Sequence, residues 1–472
     1  MQKYDAALEQ ATTPSLEALQ AFSRGLKIFN QEGGAAPLPL FNRAIELDPN
    51  FAMPYVLRGV SYGNLGEDGL ASENLQKAFE LRERTSEQEK YAISSLYYGL
   101  VTGELGKSNQ VYEQWAQIYP RHPVPHGNLA ANYATLGQYD KALPEIVAAK
   151  RLDPDSGGAN TALVVIYAAL GRLDNAKDSY EHSVALKIEN PFLHATRYGV
   201  AFLEGDEAEM QRQLAWGMGK PGAEDLLLSI DSDTQAYAGH LEKARELSRQ
   251  AADAANRNDQ KETAAMRLLN AALREAEVGN SALARERTMS AMSLASTRDL
   301  QILAALSSAR AGDIARAQTM ADELSSRWPL NTVLNGFWLP TIRASIELSR
   351  NHPDKAVELL RAASPYELGV PNPQPQVLGN LYPVYVRGQV YLKTGQGKQA
   401  AAEFQKMLDY RSIVANFVLG ALAHLQLGRA KAMSGDKEGA GKAYRDFLTL
   451  WKDADPDIPI LKEAKAEYAR LR

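Results

Sequence analysis

One 34-residue segment, PVPHGNLAANYATLGQYDKALPEIVAAKRLDPDS from Pro123 to Ser156, restricts this chain to a narrow set of folds, because most of the remaining sequence is a variation on it. Ala130, Tyr133, Gly137, Ala142, Ile146, Ala149 and Pro154 place small, aromatic and turn-forming residues at helix-turn-helix spacing. Two antiparallel helices approach closely only where facing side chains are small, so Ala130 and Ala142 allow backbone contact while Tyr133 and Ile146 fill the space beside them. Gly137 supplies the left-handed residue that ends the first helix, and Pro154 stops the second.

With the residue that opens the second helix as a mark, the pattern recurs at Pro37, Ala71, Ser108, Ala142, Ala176, Met210, Ala244, Ala284, Ala317, Ala356, Ala400 and Ala440. A turn glycine precedes most marks, as at Gly66, Gly171, Gly239, Gly312, Gly395 and Gly435. This repetition predicts an all-α, right-handed α-solenoid superhelix of about twelve helix pairs, each burying its apolar face on its neighbours. Residues 1–17 read as a lead-in, with a first helix near Pro14 capped by Thr13 or Ser15. Residues 18–222 read as a regular array of about six units, and 223–457 as a divergent array of about six more. The divergent array holds a proline-rich insertion, 364–383, expected as an ordered loop or a strap along the surface. Residues 458–472 read as an amphipathic capping helix, and the glycines of WGMGKPGAEDLL predict a bend between the arrays.

The 472 residues are 45% hydrophobic and 23% charged with a net charge of −5, a profile that does not attract a polyanion, so no nucleic acid partner is expected. Without cysteine there is no thiolate metal site, disulfide or cysteine nucleophile, and both cytosol and periplasm are compatible. No basic-then-apolar leader opens the chain, and the longest apolar run, Ala162 to Leu170, is too short to span a bilayer, which predicts a soluble chain without a membrane span.

Motifs that carry chemistry elsewhere have plainer readings here. Gly217 to Gly222 satisfies G-x-G-x-x-G, yet it follows a helix and contains Pro221, so it reads as an inter-repeat hinge and not as a dinucleotide cradle. Gly395-Gln396-Gly397-Lys398 occupies an inter-helix turn. The histidines stand singly, so no metal is expected, and Glu207 and Glu209 sit at a helix start where they complement the dipole. Trp115, Trp216, Trp328, Trp338 and Trp451 read as packing between units. The chain is therefore expected to use no cofactor and not to be an enzyme, a hydrolase or nucleotide-binding enzyme concealed in the array being an alternative.

The 34-residue unit is identified as a tetratricopeptide repeat. Further strings, among them LEQATTPSLEALQAF, FNRAIELDPNFAMPYVLRGVSYGNLGE, SPYELG, LYPVYVRGQVYL, GALAHLQLGRA and YRDFLTLWKDADPDIPILKEAKAEYARL, resemble the tetratricopeptide region that follows the kinase domain of acidobacterial-type serine/threonine protein kinases. Nothing matches the kinase itself: the VAIK-like strand, HRD-like loop and DFG are absent. The resemblance thus implies a sensory or docking module, on the cytoplasmic or periplasmic side of a membrane-anchored parent.

In such arrays the inward positions of each first helix line a concave groove that reads a peptide. Those positions are Phe22, Leu26 and Phe29 in unit one, Met53, Val56, Val60 and Asn64 in unit two, Asn128 in unit four and Phe202 in unit six. The lining is apolar and lacks the Lys and Asn that chaperone-binding relatives use to clamp a terminal carboxylate, so the expected occupant is an apolar or amphipathic segment of a protein partner or of the chain's own lead-in. Two readings stay open for these side chains, groove lining and core. For the whole chain, the alternative to an interaction scaffold is a structural subunit that self-associates end to end.

Overall fold

The computed structural model describes residues 13–32, 34–373 and 379–471, so most of the lead-in at 1–17 lies outside the described residues. Ser15 caps the first helix, its Oγ accepting the Ala18 amide at 3.1 Å, while Thr13 donates to the Asp48 carboxylate at 2.6 Å.

The described helices pair in chain order. The first six pairs are α1 (Leu16–Glu32) with α2 (Leu38–Leu47), α3 (Ala52–Asn64) with α4 (Asp68–Leu81), α5 (Glu87–Leu96) with α6 (Leu105–Ile118), α7 (Pro123–Thr135) with α8 (Tyr139–Leu152), α9 (Gly157–Ala169) with α10 (Leu173–Ala185), and α11 (Pro191–Glu204) with α12 (Glu207–Gly217). Gly219 and Gly222, both in the left-handed region, then carry the chain into the next helix. The following five pairs are α13 (Glu224–Tyr237) with α14 (Leu241–Arg257), α15 (Lys261–Glu277) with α16 (Ser281–Leu294), α17 (Arg298–Arg310) with α18 (Ile314–Arg327), α19 (Leu339–Ser349) with α20 (Pro353–Arg361), and α21 (Tyr382–Lys393) with α22 (Gly397–Asp409). After the single turn α23 (Arg411–Val414) comes the twelfth pair, α24 (Val418–Met433) with α25 (Lys437–Leu450), and then α26 (Pro459–Leu471). The fold is an all-α solenoid with no strand among the described residues. Its terminal helix α26 lies against α25, burying Ile460, Leu461 and Ala464.

The register read from the repeats places small residues where helices meet. Ala142, Ala176, Ala284, Ala317, Ala356, Ala400 and Ala440 are completely buried. Gly137 ends its inner helix at a φ of 74°, as the turn requires.

The solenoid is wound tightly enough for successive turns of the superhelix to touch. The Gly66 turn of unit two meets the start of α15 in unit eight, through the Thr263 hydroxyl donating to the Leu65 carbonyl at 2.6 Å. The Gly103 turn of unit three meets Thr332 at the entry to unit ten, the Gly137 turn of unit four meets Leu368 and Val370, and the Gly239 turn of unit seven meets Trp451 and Asp455 before α26. An offset of about six units recurs in each case, which defines the superhelical turn. The insertion, expected as an ordered loop or a surface strap, has its described parts wedged into this contact. Val370, Pro371, Gly379, Asn380 and Leu381 are buried, and the Tyr139 hydroxyl donates to the Leu368 carbonyl at 3.1 Å; residues 374–378 lie outside the described residues.

Tight winding also closes the interior of the second half. There α24 packs against α13 and α15 as well as against its sequence neighbours, so the inner helices of units seven to twelve surround one another. As a result α15 buries 13 of its 17 residues, whereas α7 in the first half buries 4 of 13. Charged side chains inside this packing are paired: Arg267 with Asp225 at 2.9 Å, Arg274 with Asp233 and Asn270 alongside it, and Arg310 with Glu277 at 2.6 Å and with Gln389.

Ala142→Leu should overpack a completely buried helix contact and lower stability by roughly 1–3 kcal/mol, whereas Ala131→Leu, at an exposed position of α7, should leave it unchanged. Urea unfolding of both variants checks the register; equal stability of the two would refute it.

Candidate functional site

The nine residues expected to line one groove do not form a single surface. Phe22, Leu26 and Phe29 share α1 and are half-buried, with the Phe22 ring edge-on to Phe51 at 5.1 Å and both phenylalanines within 6.5 Å of the fully buried Phe41. They pack α1 onto α2 and onto the start of α3. Val56 is a core residue, 2% exposed and surrounded by Tyr55, Leu75, Ala78 and Ile93, because the face of α3 that carries it turns towards α4 and α5. Met53 packs at the edge of the same cluster, Val60 is half-buried, and Asn64 is exposed. On α7, the Asn128 amide donates to the Tyr112 hydroxyl at 2.9 Å, and so helps hold unit four on unit three.

Phe202 belongs elsewhere. Its ring meets Tyr237 edge-on at 5.0 Å, and both line a cleft of about 700 Å³ whose opposite wall is built by α22 to α25 of the last two units. The sequence offered no route to this juxtaposition, since the two walls are joined only by the superhelical offset.

The contacts between superhelical turns use a device that local sequence reading also missed. The outer helices α4, α6 and α14 have no capping side chain of their own. Their first amides are capped from the next turn: Gly69 N–H by the Glu262 carboxylate at 3.0 Å, Leu105 N–H by the Thr332 hydroxyl at 3.1 Å, and Glu242 N–H by the Asp455 carboxylate at 2.8 Å. At unit two the exchange is reciprocal, because Glu67 accepts the Thr263 amide at the start of α15 at 3.2 Å. The available signal was negative: Glu, Gln, His and Arg occupy cap positions where Ser, Thr, Asp or Asn are favoured.

The unit-two clasp gathers acidic groups. Burial raises Glu67 and Glu262 above the ordinary carboxylate range, partly offset by their bonds to Thr263 and Gly69. Asp68 is pushed up to about 8 by burial and by Asp299, with Arg298 opposing the shift. Arg298 pairs with Asp299 at 2.7 Å and reaches the carbonyls of Leu100 and Val101.

Comparison with known proteins agrees with the repeat and extends little beyond it. A family model described as "Tetratricopeptide repeat" matches residues 158–187, the α9–α10 pair. The "Small glutamine-rich tetratricopeptide repeat-containing protein 2" of Mycosarcoma maydis is 28% identical over 123 residues, which is 26% of this chain and only 32% of that protein's length. Among solved structures, yeast Tom70 is similar at a TM-score of 0.34 and 12% identity, covering 90% of this chain and 96% of that one. Human IFIT1, solved as a dimer with PPP-AAAA, is similar at 0.39 and 13% identity, covering 93% and 92%.

The clasp should loosen as pH rises. A carboxyl whose folded proton affinity is raised holds its proton after the unfolded chain has released it, so it contributes stability at the acid end that is lost as pH climbs from the ordinary carboxylate range towards about 8. Glu67→Gln keeps the acceptor for Thr263 and removes one titration. Urea midpoints at about pH 5 and about pH 8 should therefore differ less in this variant than in the parent chain; an unchanged difference would exclude Glu67 as a contributor.

Proposed function

We propose that this chain is a non-catalytic scaffold that docks a protein or peptide segment on the inner helices of its amino-terminal half. The observation that carries this reading is a contrast along the array: units seven to twelve fill their own interior and α11 of unit six is largely buried, while α3 and α7 keep Val60 half-exposed, Val124 43% exposed, and Asn64 and Ala131 exposed. Apolar and small side chains that remain uncovered on the inner helices suit an apolar or amphipathic partner segment. Local repeat identity supports the coarser part of the reading, since tetratricopeptide units serve as interaction surfaces. Among the described residues no helix is long and apolar enough to cross a membrane. We take the chain as a docking region attached to a signalling parent whose kinase and membrane anchor lie elsewhere. That parentage rests on the sequence resemblance alone.

A photo-crosslinking side chain at Val60 or Val124 should label one partner segment in an extract of the source cell, while the same group at Val147, 47% exposed on the outer helix α8, should not. Equal labelling at all three positions would overturn the assignment of the docking face.

A further inference from the structure

The cleft between Phe202 and α25 has features that packing does not require. Its walls are apolar, with Phe202 and Tyr237 facing Met407 and Leu450 across about 700 Å³, a volume suited to a small ligand. Two opposite charges also border it. Arg411 on α23 gives one N–H to the Leu203 carbonyl at 2.8 Å and makes no ion pair among the described residues. Asp446 on α25 has neither a hydrogen-bond nor an ion-pair partner among the described residues. His424 lines the same cleft within the field of both charges, and burial holds it below its ordinary range, so that it is a neutral polar group at neutral pH.

One charge of each sign beside an apolar wall selects among ligand classes by complementarity. Arg411 is exposed and Asp446 half-buried, so both are hydrated; a neutral or singly charged molecule leaves at least one of them without a counter-charge, whereas a ligand carrying both signs on an apolar body meets all three features. We propose that the cleft binds a small zwitterion with an apolar body, an apolar α-amino acid or short apolar peptide, its carboxylate on Arg411 and its ammonium on Asp446. The walls come from units six and seven on one side and units eleven and twelve on the other, so the ligand bridges two superhelical turns and binding strengthens their contact. This site is separate from the amino-terminal docking face and would make the array responsive to a small molecule.

Calorimetry and thermal melting of the full chain test the assignment with L-phenylalanine and L-leucyl-L-phenylalanine, and with two blocked probes, N-acetyl-L-phenylalanine and 2-phenylethylamine. At least one zwitterion should bind at a single site and raise the melting temperature, each blocked probe should bind about tenfold or more weakly, and the tighter zwitterion identifies amino acid or peptide as the source. Asp446→Asn, which breaks no hydrogen bond or ion pair among the described residues, should melt as the parent does yet lose binding by a similar factor; Arg411→Gln should lose it too. The proposal is overturned if neither zwitterion binds, if a blocked probe binds as tightly as its parent, or if both variants bind unchanged.

Discussion

Contact between successive turns of the superhelix is the constraint on which the rest of this structure depends. An open solenoid leaves every unit touching only its sequence neighbours, and its stability is then a sum of local terms. Here the turn glycines of units two, three, four and seven meet elements about six units further on, and the meeting is made specific by caps exchanged between turns. Glu67 and Glu262 illustrate the physics: each carboxylate satisfies an orphan amide at the start of the other's helix, so that parting the turns would leave helix ends uncapped on both sides. A cap is typically worth about 1 kcal/mol, and several acting together couple distant units into one cooperative body.

Closing the turns has a consequence for the inner helices. In units seven to twelve they face one another instead of solvent, and their polar residues must find partners inside. Asp233 meets Arg274 and Asn270, and Glu277 meets Arg310, which also reaches Gln389. Burial still raises Asp233 above the ordinary carboxylate range despite that company. Such pairs add little net stability over apolar packing, but losing one partner typically costs about 3–5 kcal/mol, so they discriminate strongly against a misaligned winding. In this array they act as registers between helices that sequence separates by tens of residues.

The proposed roles divide along the same line. The half that remains partly open offers exposed positions on α3 and α7, and the closed half offers a cleft only where it rests on units six and seven. The cleft would not exist in a flat or loosely wound array of the same twelve pairs. It therefore depends on the pitch, which is set by the caps and by the wedge of Leu368 and Val370 against the Gly137 turn.

How much of this was legible beforehand follows from the range of each interaction. Helix pairing, the buried alanines and the left-handed glycines were readable because they depend on neighbours within one 34-residue unit, where periodicity and steric size decide the outcome. The amphipathic helix at the end of the chain was readable for the same reason. Groove positions such as Phe22 and Val56 were named correctly as apolar, but which face of a helix meets solvent depends on how far the next unit rotates, and that small rotation accumulates over many helices. The sequence by itself determined the unit, its turn and its repetition, since these are local; only the tertiary structure decided that the turns close, that Val56 is core, and that Phe202 faces Met407, because those outcomes arise from contacts made across about two hundred residues after the rotations have summed.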